Sequence, residues 1–119
     1  MRFLREREFA IPAVLGVISY FVVTGGRQLL PGNIAWLSKG DPATYFVGWH
    51  FFRNSPWGSP LGLSPRYGAE LSSTIAFVDN IPLFALPFKA IRGWLPEIFQ
   101  YFGLWTLCCF VLQAWFGVI

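Results

Sequence analysis

The sequence predicts an all-α integral membrane domain of about three transmembrane helices, with a short interfacial amphipathic helix in the first external loop. Three observations carry this reading. Hydrophobic residues make up 55% of the 119-residue chain and charged residues only 13%, where globular domains usually carry about 25% charge. Apolar runs of near-spanning length recur along the chain. Basic residues stand at the ends of those runs, where they set topology. The net charge of +3 does not suggest a nucleic-acid partner, because the nine Lys and Arg residues are scattered and no nucleic-acid motif accompanies them.

The first expected span covers residues 9–25, where "FAIPAVLGVISYFVVT" contains no charge before "GG" and Arg27. "MRFLRERE" precedes it, and Arg2, Arg5 and Arg7 hold the N-terminus in the cytoplasm by the positive-inside rule. A cleaved signal peptide is the rival reading, with Val23 and Gly25 as small cleavage-site residues. Glu6 and Glu8 in the basic region, and the further apolar segments downstream, speak against it.

An external loop is expected over 27–73. Within it, Asp41-Pro42 reads as a helix N-cap followed by the first helical position, so a helix begins at Pro42. Its periodicity places Tyr45, Trp49 and Phe52 on one aromatic face, with Phe46 beside them. About 12 residues cannot cross a bilayer, so the helix is expected at the membrane interface or packed on the spans. "NSPWGSPLGLSPRYG" then implies a turn-rich loop.

The second span, 74–91, is interrupted by Asp79, Asn80, Pro82 and Pro87, which leaves a kinked span and a re-entrant segment both open. The third, 97–119, has no charged side chain beyond its first residue and is the most continuous. If 74–91 crosses, Lys89 and Arg92 return to the side of Arg2, Arg5 and Arg7, so a three-span protein of the inner membrane with a cytoplasmic N-terminus is self-consistent. Trp36, Trp49, Trp57 and Trp94 lie outside the charge-free runs, where their rings suit headgroup level. Cys108 and Cys109 are adjacent, without zinc-ligand spacing, and read as small buried hydrophobes.

Two readings stand for each chemistry-bearing residue. Asp41 is either a cap alone or a carboxylate with a function. Asp79, an ionisable group inside an expected span, is either functional or a buried carboxylate paired with Arg66 or Lys89. Arg53 and Arg66 are suited to bidentate phosphate contact, or snorkel to headgroups. His50, the sole histidine, packs on the aromatic helix or lines a site. No Ser-His-Asp set, phosphate-binding glycine loop, zinc cluster or dinucleotide fingerprint occurs.

"GDPATYFVGWHFFRNSPWGSPLG", "IAFVDNIPLFALPFK" and "LPEIFQYFGLWTLCCFVLQ" resemble the opening of an uncharacterised bacterial family of large multi-span proteins, itself similar to the C-type membrane glycosyltransferases. The resemblance spans about residues 10–119. It implies sugar transfer from a polyprenyl-phosphate donor at the external face, with Asp41 as the first-loop catalytic acid and Asp79 as a further catalytic member. It also implies donor or acceptor binding by Arg53, Arg66, Glu70 and His50. A divalent cation, or no cofactor, is implied, and the partners are the lipid bilayer, the lipid-linked sugar and the remaining spans of a larger parent. C-type enzymes have on the order of ten spans, so the chain is expected to be a fragment that is inactive alone. The alternatives are a small non-enzymatic membrane subunit, and a transport path through Asp79 and Asn80.

Overall fold

The computed structural model describes residues 2–68 and 73–117, with side chains from Ala10 onward. Four α-helices run in the order α1 (Arg2–Thr24), α2 (Pro42–Asn54), α3 (Pro82–Ala90) and α4 (Phe102–Phe116) among these residues. A two-stranded antiparallel ribbon joins β1 (Leu63–Ser64) to β2 (Ser73–Thr74), with Leu63 opposite Thr74 and Ser64 opposite Ser73. The chain divides into a terminal unit, residues 1–33 with 100–119, and a central unit, residues 34–99.

The expected three-span architecture is overturned, because no helix among the described residues is long and apolar enough to cross a membrane. The reasons differ from helix to helix. α1 has 23 residues, but its first turns carry Arg2, Arg5, Glu6, Arg7 and Glu8. Its charge-free stretch, Phe9 to Thr24, rises only about 24 Å, short of a hydrocarbon core of about 30 Å. The expected span 74–91 is not one helix: a 3-10 turn at Ile75–Val78 ends on Asp79 in the left-handed conformation, and α3 then occupies only nine residues. The expected span 97–119 begins with non-helical backbone, and α4 starts only at Phe102, giving 15 described helical residues, about 22 Å. The expected placement as an integral inner-membrane protein with a cytoplasmic N-terminus falls with the spans that defined it.

In the terminal unit, α1 ends where Gly25 and Gly26 adopt φ of 67° and 73°, conformations that cost glycine little, and the Gly25 amide donates back to the Phe21 carbonyl at 2.9 Å. α1 packs on α4, with Gly16 against the backbone of Phe110 and Val111 and the buried Tyr20 ring edge-on to Phe110 at 5.6 Å. The segment before α4 is tied down by Gln100, which is buried. Its Nε2 donates to the carbonyls of Gln28 (2.7 Å) and Leu30 (3.0 Å), and its amide donates to Pro31 (2.8 Å).

In the central unit, a helix begins at Pro42, whose missing N–H costs nothing at the first helical position. Its aromatic face turns inward and is not spread on an interface: Trp49 and Phe52 are fully buried, against the Ile75–Val78 turn and α3. The Trp49 indole N–H donates to the Phe99 carbonyl at 2.9 Å, so this ring belongs to protein core and not to a headgroup belt. Asn80, also buried, fits beside α2 with its amide oriented so that Nδ2 donates to the Tyr45 carbonyl and Oδ1 accepts from the Trp49 amide, each at 3.1 Å. The polar residue in an expected membrane segment is thereby satisfied by helix backbone.

Candidate functional site

The residues singled out from sequence fall at separate places. Asp41 occupies the cap position before α2, yet its side chain makes no capping hydrogen bond. The cause is local. A capping residue normally has extended backbone that swings its side chain over the first turn, whereas Asp41 has helical φ and ψ of −56° and −38°. Its carbonyl accepts instead from the Thr44 amide (3.0 Å) and hydroxyl (2.6 Å), and its carboxylate stands exposed. Asp79 is exposed as well, closing the Ile75–Val78 turn at φ 50°, a conformation that aspartate tolerates better than most residues. A buried Asp79 paired with Arg66 or Lys89 is therefore ruled out. Arg66 is exposed just after β1, and Glu70 lies outside the described residues.

His50 projects from the exposed side of α2, its ring tilted on Phe46 at 6.2 Å and its Nε2 3.4 Å from the Asn54 amide nitrogen. It lines a cavity of about 270 Å³ with Ile34, Phe46, Val47, Glu97 and Ile98. Asp41 is nine residues earlier, about 13 Å along the helix axis, so the two do not form one acid–base set. Among the described residues no three His, Cys, Asp or Glu side chains gather to hold a metal ion.

Arg53 departs furthest from its sequence reading, being 6% exposed and neither snorkelling nor open to a ligand. Nη1 donates to the Glu97 carbonyl (3.0 Å), and Nη2 donates to those of Leu95 (3.0 Å) and Arg92 (3.3 Å). Arg92 answers in the opposite direction, its Nη1 donating to the carbonyls of Arg53 and Ser55, each at 2.9 Å. The end of α2 and the segment 92–97 are thus cross-braced by two guanidinium groups.

Lys89 completes the cluster. It is 1% exposed, its Nζ donates to the Pro56 carbonyl at 3.3 Å, and it lies 3.8 Å from the Phe52 ring centroid and 4.7 Å from that of Trp57. Burial first, and the charge of Arg92 second, push the Lys89 pKa down from 10.5 to about 8. Burial and Arg92 lower Arg53 too, with the Glu97 carboxylate acting against them.

The consequence for stability has a definite sign. Between about pH 8 and 10.5 the unfolded chain holds a proton on Lys89 that the folded chain has given up, so Lys89 makes stability rise with pH in that window. Below it, both states are protonated and the full cost of the buried ammonium is present. In denaturant unfolding, Lys89→Met is therefore expected to gain most on the parent near pH 7 and to lose that advantage near pH 10. A difference between the two proteins that stays constant over this range would contradict the assignment.

Sequence reasoning treated Arg92 only as a topology signal, read Lys89 as that or as a partner for Asp79, and did not single out Glu97. Arg53 was legible in part: at i+4 from Trp49 and beside Phe52 it belongs to the buried face.

No curated protein and no solved structure matches the chain. A family model, described as a domain of unknown function (DUF6311), matches residues 13–119. That match takes in α2, α3, α4, the Arg53–Lys89–Arg92 cluster and the second half of α1, and the chain belongs to the DUF6311 family.

Proposed function

We propose that the chain supplies the acceptor-side carboxylate of a glycosyl transfer that uses a sugar carried on polyprenyl phosphate. One observation carries the reading. The Asp41 carboxylate stands exposed at the head of α2 and is not used in capping, so its lone pairs are available to take or polarise a proton from an acceptor hydroxyl or amide. The resemblance of the segments beginning at Gly40, Ile75 and Leu95 to the opening of C-type glycosyltransferase-like proteins supports the donor class. Arg66, exposed after β1, is free to meet phosphate, whereas Arg53 is committed to backbone carbonyls.

Asp41→Asn, introduced in the host gene, is expected to lower transfer of labelled sugar from a polyprenyl-phosphate donor by about 100-fold or more, the usual scale for loss of a general base. Thermal stability should be unchanged, since the carboxylate makes no capping bond. Transfer at the parent rate removes the assignment.

A second reading, an interaction protein with no activity of its own, is favoured by the exposed apolar stripe on α1. Ile11, Val14, Leu15, Ile18 and Val22 recur at helical spacing and are each more than half exposed. On that reading Ile18→Glu abolishes cross-linking to the partner while Asp41→Asn is silent.

A further inference from the structure

α2 buries one face and lines a cavity with the next. Trp49, Phe52 and Arg53 are buried, while Phe46 with His50 and Val47 with Phe51, each pair one turn apart, form one wall of the cavity of about 270 Å³. Glu97 and Ile98 stand on the other wall. Two long-range bonds hold that wall against the helix: Arg53 Nη1 donates to the Glu97 carbonyl at 3.0 Å, and the Trp49 indole donates to the Phe99 carbonyl at 2.9 Å. The rings are held too, Phe51 edge-on to Tyr67 at 5.4 Å and Phe46 tilted on His50 at 6.2 Å. Apart from His50 and Glu97, every described side chain that lines the cavity is hydrocarbon. With its carbonyl taken by Arg53, Glu97 has its carboxylate left to offer, and that group makes no hydrogen bond or ion pair among the described residues. Its influence on Arg53 ranks behind burial and the charge of Arg92, so the carboxylate is not tied to that guanidinium.

We propose that this cavity binds a small organic ammonium of the arylalkylamine class, its ring against the α2 wall and Ile98 and its ammonium paired with the Glu97 carboxylate. Size fits first. A cavity of about 150 Å³ is enough for benzene, so about 270 Å³ takes a phenyl ring and a short aliphatic arm. Val47, Phe51 and Ile98 are 42%, 39% and 51% exposed, apolar area that such a ring would remove from water. Charge then selects among molecules of that size. No Lys or Arg is among the described lining residues, and Glu97 is their one acid. Apolar walls lower the local dielectric and so strengthen a charge-assisted bond between ammonium and carboxylate. The faces of Phe46 and Phe51 attract cations as well. Asp41, about 13 Å from His50 along the helix axis, takes no part.

Calorimetric titration of the purified chain at pH 7, where a primary amine is protonated, tests the site with three probes of similar shape: phenethylamine, phenethyl alcohol and phenylacetate. Saturable binding of phenethylamine is expected at millimolar concentrations or below, with the alcohol weaker and phenylacetate undetected. Glu97→Gln keeps the shape and removes the charge. It should weaken phenethylamine about tenfold or more and leave phenethyl alcohol unchanged. Since Glu97 is exposed and its side chain bonds nothing among the described residues, this variant should unfold at the parent's midpoint. Val47→Lys, also at an exposed position, places a competing ammonium in the cavity and should abolish binding of amine and alcohol alike. Equal binding of amine and alcohol, both indifferent to Glu97→Gln, overturns the ammonium ligand. Phenylacetate binding more tightly than the amine reverses the sign of the charge and overturns it as well. Absence of saturable binding, or amine binding unchanged by Val47→Lys, overturns the site altogether. None of these outcomes bears on the Asp41 carboxylate, so this site and the glycosyl-transfer reading fail separately.

Discussion

Trp49→Ala is expected to cost the central unit about 4 kcal/mol, within the range for removing a buried Trp or Phe side chain. The side chain has no exposed surface, its ring meets Phe99 with centroids 6.4 Å apart, and its N–H satisfies the Phe99 carbonyl. Truncation opens a cavity beside the buried Phe99 and leaves that carbonyl without its donor. Trp49→Phe keeps most of the ring and loses only the N–H, so its cost should be smaller, about 1–3 kcal/mol for the orphaned acceptor. Trp94→Ala, at an 88% exposed position, should change stability by less than about 0.5 kcal/mol. Urea unfolding, comparing midpoints at constant slope, measures all three. Equal losses at positions 49 and 94 would show that α2 does not bury its aromatic face.

What the sequence showed of this fold was what is local. Asp41-Pro42 marks a helix start because proline at the first helical position is fixed by its own ring, and α2 does start at Pro42. The spacing of Tyr45, Trp49 and Phe52 identified a face that leaves water, but periodicity does not say whether lipid or protein receives it; here protein does. Hydropathy over 74–91 misled for a related reason. A window average counts side chains and is blind to the backbone reversal at Asp79 and the fresh helix start at Pro82, which divide the stretch into a turn and a short helix. Asp41 was recognised as a cap position, while the backbone angles that turn its carboxylate away from capping depend on the preceding turn at Gly40, whose φ is 68°. The roles of Arg53, Arg92 and Gln100 were out of reach, since each binds carbonyls tens of residues away, and a carbonyl leaves no mark on residue identity.

Gly103→Ala is expected to destabilise the terminal unit by about 3 kcal/mol, at the upper end of the usual cost of overpacking, although alanine is the better helix former. Gly103 is the second residue of α4, where replacing glycine by alanine would ordinarily gain about 0.5–1 kcal/mol. Contact outweighs propensity here. A Cβ at Gly103 would overlap the Gln28 carbonyl and lie 3.0 Å from the Leu29 amide nitrogen. Those are backbone atoms, so no side chain can rotate away. The strand of chain carrying them is also held in place, because Gln100 Nε2 donates to the carbonyls of Gln28 and Leu30 while Gln100 Oε1 accepts from the Gly103 amide at 2.9 Å. Moving Gln28 aside to admit a methyl group therefore breaks hydrogen bonds of a buried amide, whose unsatisfied groups add about 1–3 kcal/mol. Gly93→Ala is the matched control: a Cβ there meets nothing within 4 Å, and the change should be neutral or slightly stabilising. If Gly103→Ala unfolds at the parent's midpoint, residues 28–29 do not lie against the start of α4, and the path of the chain from α1 to Pro31 must be redrawn.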